Sequence, residues 1–207
     1  MKILIACEES QTITNLFRAK GYEAYSCDLL DCSGGNPQYH YKGDALVYAY
    51  SGQFDMMIAH PPCTFLAVSG ARWMYNKDGS VNQERLLNQR KALEFVRLLM
   101  NAPIEKIAIE NPVSVISTKI RKPDQIVQPY WFGDEARKTT CLWLKNLPLL
   151  KPTNIVGKGE QVVYKSGKSH PKWYAEALTK AKTPEERRRL RSKTFPGMAN
   201  AIVEQWV

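Results

Sequence analysis

The sequence has no Cys-x-x-Cys pair, no apolar run long enough to cross a membrane and no internal repeat or low-complexity tract. Its five cysteines, Cys7, Cys27, Cys32, Cys63 and Cys141, are odd in number and widely spaced. That pattern excludes a closed disulfide framework and argues against a zinc site, so no metal and a reduced, cytoplasmic chain are the expectations. The opening Met1-Lys2-Ile3-Leu4-Ile5 runs straight into a strand pattern without a secretory signal, and the missing apolar span excludes a membrane helix. Charge of one sign is also missing from most of the chain. Residues 151–193 hold twelve Lys/Arg against four Asp/Glu, a net of +8, while the other 164 residues together carry +1. A near-neutral body with one basic segment points to contact with a polyanion through that segment.

The chain is long and apolar enough, at 207 residues and 44% hydrophobic, for one sizeable domain with a small appendage. Strand and helix patterns alternate along it. Lys2 to Ala6 reads as a strand. A helix follows in which Ile13, Leu16 and Phe17 share a face, Ser10 or Thr12 is placed to cap it, and Gly21 ends it. Tyr22 to Cys27 is a second strand closed by Asp28, and Gly43-Asp44 opens a short helical stretch. Asn82 to Met100 is a long helix, Lys106 to Ile109 a strand, and weaker strand signals lie at Ile126 to Phe132 and Thr140 to Leu144. This order predicts an α/β fold with a doubly wound, mostly parallel sheet.

The centre of that pattern is Met56-Met57-Ile58-Ala59, a strand apolar on both faces, which runs into His60-Pro61-Pro62-Cys63. Two prolines lack N–H donors and have fixed φ, so the chain leaves the sheet in a rigid extended turn and presents a thiol at its carboxyl edge. Ligands of open α/β sheets bind at that edge. Three more strand ends reach it: Cys7-Glu8-Glu9, Asp28 and Glu110-Asn111-Pro112. An acid after the second strand suits ribose hydroxyls, although a strand-end aspartate is also a common cap. The combination of Pro-Pro-Cys and Glu-Asn-Pro on two strand ends of one sheet is far more specific. Cys27, Cys32 and Cys141 read as small core hydrophobes, His60 as structural, and Trp73, Trp131 and Trp143 as packing groups. Trp173-Tyr174, set among lysines, reads as a platform for a base.

These residues resemble the DNA cytosine-5 methyltransferases, in the manner of a small phage or prophage member. Pro62-Cys63 is similar to the family's Pro-Cys nucleophile motif, and Glu110-Asn111 to its Glu-Asn-Val motif with Pro112 in place of valine. The resemblance implies a Rossmann-like S-adenosylmethionine-dependent fold, with Cys63 as nucleophile and Glu110 as the acid on the base. Arg137 and Lys138 stand where the family has a basic strand and would support catalysis. Cofactor contacts are implied for Cys7, Glu8, Glu9, Ser10, Asp28, Gly43, Asp44, Pro61 and Asn200, the last within a closing Gly-Asn-Ala/Ser-Val-like helix at Phe195 to Ile202. The chemistry expected is methyl transfer to carbon 5 of cytosine in DNA. The same chemistry on a free pyrimidine nucleotide such as dCMP, and a non-catalytic DNA-binding protein on the same fold, are the alternatives.

Two features depart from the family. Its first loop is Phe-x-Gly-x-Gly, whereas Ala6-Cys7-Glu8-Glu9-Ser10-Gln11 holds no glycine. The helix amino terminus is then expected to face the cofactor's carboxylate, and Glu8 or Glu9 to take its amino group. The chain also has no room for a large target-recognition domain. The expected division is a catalytic domain at 1–150, a basic nucleic-acid-contacting segment at 151–193 and a closing helix at 194–207. Lys165, Lys168, Lys172, Trp173, Arg187, Arg188 and Arg191 would contact DNA, phosphates above all, with little sequence information. A short or relaxed target, or a partner protein or homodimer that supplies recognition, follows from that.

Overall fold

The computed structural model describes the backbone of residues 1–207 and every side chain except those of Glu185 and Arg188. The chain divides into two compact units, 1–126 with 139–149, and 127–138 with 150–207.

The first unit is built on β1 (Lys2–Ala6), β2 (Glu23–Asp28), β3 (His40–Lys42), β4 (Met56–Ala59), β5 (Lys106–Pro112) and β7 (Thr140–Lys145), with β6 (Gln125–Val127) completing a seven-stranded sheet. The strand order is β3-β2-β1-β4-β5-β7-β6. The pairings from β3 through β5 are parallel, and β7 runs antiparallel to β5. The doubly wound α/β architecture expected of a Rossmann-like methyltransferase fold is therefore present, with β7 reversed against β5. Its switch point, where the order turns back from β1 to β4, puts the ends of those two strands beside each other.

Buried strands explain the apolar runs. β1 and β4 are almost wholly enclosed, with Leu4, Ala6, Met57 and Ala59 facing a core that also takes Ile107, Ile109, Cys141 and Trp143. The helices α2 (Ala45–Ala49) and α3 (Gln83–Met100) close that face through Ala45, Ala49, Leu93, Val96 and Leu99. Ile13 and Phe17 of α1 (Thr12–Ala19) are buried outside this cluster. Local chemistry sets the helix ends. Asp44 and Asn82 accept N–H bonds at the starts of α2 and α3, and Gly21 follows α1 at φ +85°. A short helix, α4 (Ile116–Lys119), follows β5.

Two sequence expectations need correction. The strand proposed for Ile126 to Phe132 stops at Val127, because Pro129 has no N–H for a ladder and a 3-10 turn forms over Pro129–Trp131. Neither Ser10 nor Thr12 caps α1. The residue before it is Gln11, in the left-handed region at φ 54°.

The second unit carries a two-stranded antiparallel ribbon, β8 (Gln161–Val163) and β9 (Ser169–Pro171). Three helices follow: α5 (Lys172–Lys180), α6 (Pro184–Ser192) and α7 (Pro196–Gln205). Thr183 caps α6 and Pro184 opens it. Met198, Ala199, Ala201, Ile202 and Val203 of α7 are buried. No described helix is long and apolar enough to cross a membrane.

Candidate active site

The site is assembled from the carboxyl ends of five neighbouring parallel strands, β3, β2, β1, β4 and β5. Ala59 of β4 pairs with Ile109 of β5, so the next residues, His60 and Glu110, stand side by side. His60 Nδ1 lies 3.1 Å from Glu110 Oε2, and the two side chains are only 14% and 15% exposed. The sequence marked His60 as merely structural. The register between β4 and β5, which brings it against Glu110, is a tertiary fact with no local signal.

Beyond His60 the prolines carry the backbone outward as expected. Pro61 is buried, and Pro62 and Cys63 are exposed. The turn is fixed by its neighbours. Leu66 N–H and Ala67 N–H both donate to the Cys63 carbonyl, at 3.0 and 2.8 Å. Buried Asn111 donates from Nδ2 to the Pro61 carbonyl at 2.8 Å. Val68 N–H donates to Val113 O and Val115 N–H to Leu66 O. From α3, Arg85 and Gln89 donate to the carbonyls of Thr64 and Phe65. The segment after Cys63 is thus stitched to the segment after Glu110, which holds the thiol-bearing turn and the acid-bearing strand as one piece.

The end of β1 behaves differently. Glu8 is buried, and its carboxylate accepts Ile13 N–H at 2.7 Å, Thr14 N–H at 3.3 Å and the Thr14 hydroxyl at 2.6 Å. It is the cap of α1. Those N–H groups, expected to face a cofactor carboxylate, are engaged by the chain's own acid. Burial pushes the Glu8 carboxyl up, against the opposing pull of the Thr14 hydroxyl, His60 and the two amides. Glu9 accepts the Ser33 hydroxyl through Oε2, and the Ser10 and Thr12 hydroxyls lie 3.0 Å apart.

The missing glycine is resolved by two means. Cys7 and Gln11 themselves adopt positive φ, at 60° and 54°, a conformation that costs roughly 1–2 kcal/mol for each non-glycine residue. The close approach is supplied from the opposite loop: a Cβ on Gly34 would stand 2.5 Å from the Ser10 carbonyl and 2.4 Å from Gln11 Cβ. Gln11 also exchanges two hydrogen bonds with the Asn36 backbone.

Asp28 and Asp44 close the cluster at the ends of β2 and β3. Asp28 O accepts Gly43 N–H at 2.8 Å, its Oδ1 accepts Leu30 N–H, and Asp44 caps α2 through Leu46 N–H. Burial pushes the Cys7 thiol far up, and the charges of Asp28, Cys27 and Asp44 add to it. Cys7, Asp28, Gly43 and Asp44 are therefore near neighbours.

The other predicted residues belong to the second unit. Arg137 is exposed, and its carbonyl accepts Trp173 Nε1 at 3.0 Å. Lys138 Nζ donates to the carbonyls of Ser192 and Lys193. Trp173 is half-buried and packs edge-on against Phe195, which makes it a packing group more than an open platform. Lys172 pairs with Glu160 at 2.7 Å, and the Arg191 guanidinium stacks on Tyr174. Lys165, Lys168, Arg187 and Asn200 are exposed. The Arg188 side chain lies outside the described residues. In the first unit, by contrast, Trp73 is 57% exposed with Arg72 4.5 Å over its ring, a place on the rim and not in the core.

No family model matches the chain, and no curated protein matches it. Among solved structures it is similar to a protein encoded within a prophage (E. coli) and described, provisionally, as a DNA modification methyltransferase. The TM-score is 0.44 at 13% identity, over 76% of this chain and 52% of that one. The chain thus spans about half the length of that protein.

Proposed function

We propose that this chain is an S-adenosylmethionine-dependent methyltransferase that acts on carbon 5 of cytosine in DNA. The observation that carries the reading is the pair of adjacent parallel strand ends, one delivering the exposed Cys63 and the other Glu110, tied together through Asn111 and Pro61. The prophage structure's description is of the same class of enzyme.

Each residue has a chemical task. Carbon 5 of cytosine is a poor nucleophile until something adds to carbon 6. The Cys63 thiolate forms that bond, and the ring becomes an enamine with electron density at carbon 5. Glu110 delivers a proton to ring nitrogen 3 and so neutralises the charge that the addition creates. After transfer a base removes the carbon 5 proton, the carbon–sulfur bond breaks, the thiolate leaves and the nitrogen 3 proton returns to Glu110. A duplex base must first be swung out of its stack, at a cost of a few kcal/mol.

The donor set at the ends of β1 to β3 fits the cofactor. Asp28, Glu9 and Asp44 make an acidic, acceptor-rich rim, suited to a ligand with two ribose hydroxyls, an ammonium and a sulfonium. The Gly34 approach leaves no space for a side chain between the two loops that frame it. When bound, S-adenosylmethionine supplies the electrophilic methyl group. Asp28 would hold the ribose, Gly43 and Asp44 the adenine side, and Cys7, Ser10 and Pro61 the approach to the methyl. Asn200, Arg137 and Lys138 extend the proposal to the second unit, whose basic surface (Lys165, Lys168, Arg187) would hold phosphates. Residues 1–150 would then carry the chemistry, with 151–193 and 194–207 serving DNA contact and closure. Recognition would be short or relaxed, or supplied by a partner or a second copy.

The test is transfer of label from S-adenosylmethionine to duplex DNA, single-stranded DNA or dCMP, with product analysis for 5-methylcytosine. Label in DNA that disappears in Cys63→Ser supports the reading. Label in dCMP alone moves the same chemistry to the free nucleotide. DNA binding with no transfer from any arm sinks it.

A further inference from the structure

We propose that His60 is a positioning residue for Glu110, its Nδ1–H donating to Oε2 and holding the carboxyl in the orientation in which it meets the base. The inference rests on the methyltransferase reading, since it assigns His60 a task within that site.

Three observations lead to it. First, His60 is unusually constrained. Its N–H donates to the Ala6 carbonyl at 2.9 Å, and the following Pro61 restricts it to extended backbone. Its side chain therefore leaves the sheet in one direction, the direction taken by Glu110 in the adjoining register position. Second, the pair is largely withdrawn from water, with the 3.1 Å contact made at Nδ1. There a hydrogen bond is stronger than at the surface and a wrongly turned carboxyl is costlier. Third, the buried Nε2 reaches no hydrogen-bond partner among the described residues. If Nδ1 accepted from Glu110, Nε2 would carry a buried N–H with nowhere to donate. With the proton on Nδ1, Nε2 is only a bare acceptor, the milder defect.

Glu8, from the loop after β1, lies within Coulombic reach of His60. Glu110 lies on β5, and its charge helps to raise the Cys141 thiol on β7. Cys63 is three residues on in the same loop. Among the described residues no group of three or more His, Cys, Asp or Glu is placed to hold a metal.

Because Nδ1–H donates to Oε2 whether Glu110 is ionised or protonated, His60 keeps the carboxyl plane fixed through a proton transfer to the base. Such geometric control is worth on the order of 100-fold in rate when lost.

The experiment has two arms. The chain has only three histidines, His40, His60 and His170, so nitrogen-15 NMR resolves each tautomer. The expected result is the Nδ1–H form at His60; the Nε2–H form overturns the proposal, whether or not the protein is active. In the kinetic arm His60→Leu should lower kcat on the order of 10–100-fold with little change in KM for DNA. His60→Asn, whose amide nitrogen stands near the Nδ1 position, should restore most of that loss. Wild-type rates in His60→Leu, or a loss that His60→Asn fails to rescue while circular dichroism shows both variants folded, overturn the proposal. A wild type that transfers no methyl defeats the methyltransferase reading instead, and the tautomer still decides the hydrogen bond.

Discussion

β1 and β4 lie side by side with Ala6 opposite Ala59, and both are buried nearly end to end, yet the chain leaves them in opposite senses. After β1 it turns inward: Glu8 is buried, caps α1 with its own carboxylate and leaves Gln11 sealed under Asn36. After β4 it turns outward: two residues without N–H groups cannot be drawn back into a ladder, and Cys63 is left in solvent. The difference shows what decides whether a strand end becomes a closed structure or an open reagent. Where backbone donors and a nearby acid can satisfy each other, the loop folds onto itself. Where proline removes the donors, the side chain beyond is offered to a ligand.

The sharpest contrast should appear in thiol chemistry. Burial and the charges of Asp28 and Asp44 push the Cys27 thiol up to about 12, and the same causes raise Cys7 further. At pH 8 only about one Cys27 in 10⁴ is thiolate, on the order of 10³-fold less than an ordinary thiol. Timed alkylation read by peptide mass spectrometry should therefore modify Cys63 first, and Cys7 and Cys27 only in denaturant. Cys7 labelling as fast as Cys63 would break the contrast between a closed and an open loop. The next largest effect belongs to Glu110→Gln, which should cut methyl transfer by roughly 10²–10⁴-fold, the range of a lost general acid. Duplex affinity, measured by fluorescence anisotropy, should change only a few-fold. A variant that retains the rate would leave Cys63 open but without its proposed partner.

Much of this arrangement was legible in the sequence. The apolar runs at Leu4 and Met57, the Gly21 stop and the helical spacing from Asn82 to Met100 are local signals, and they place the main strands and helices of the first unit. The Pro61-Pro62-Cys63 turn and the Glu110 strand end were legible for the same reason. What could not be read depends on pairing between distant segments. Nothing around His60 announces Glu110, which lies fifty positions away. Glu8 looks like a free acid until α1 folds back over it. The glycine-free loop looked like a departure from close approach because the glycine that permits it, Gly34, sits in another loop. The tryptophans depend on tertiary contacts in the same way: Trp173 is flanked by Lys172 in sequence but packs on Phe195, while Trp73 stands in solvent under Arg72.

Gly34 offers a sharper test of the closed loop. Gly34→Ala would drive a methyl group into the Ser10 carbonyl and Gln11, a backbone clash expected to cost about 1–3 kcal/mol as overpacking. Urea midpoints should fall accordingly, and cofactor affinity by calorimetry should fall with them. Gly35→Ala separates space from backbone strain: a Cβ there meets nothing within 4 Å, but φ is +83°, so its cost is the roughly 1–2 kcal/mol of left-handed backbone alone. If Gly34→Ala proved the milder of the two, the packing of the Ser33–Asn36 loop on the β1 turn would be wrong.

The smallest effect tests Glu8 through pH. Its carboxyl is raised in the folded state because burial outweighs the donors around it. Folding therefore favours the protonated form. The stability that Glu8 contributes is fully present below the ordinary glutamate range and is lost as the pH climbs through the raised folded value. Glu8→Gln removes the titration while keeping the shape and one acceptor. The wild-type Tm minus the Glu8→Gln Tm should then decline as the pH rises above the ordinary glutamate range. A difference that stays flat would mean that Glu8 ionises as cheaply in the fold as in water. In that case the β1 loop is wet, its amides are open to an outside anion, and the two strand ends are more alike than their geometry says.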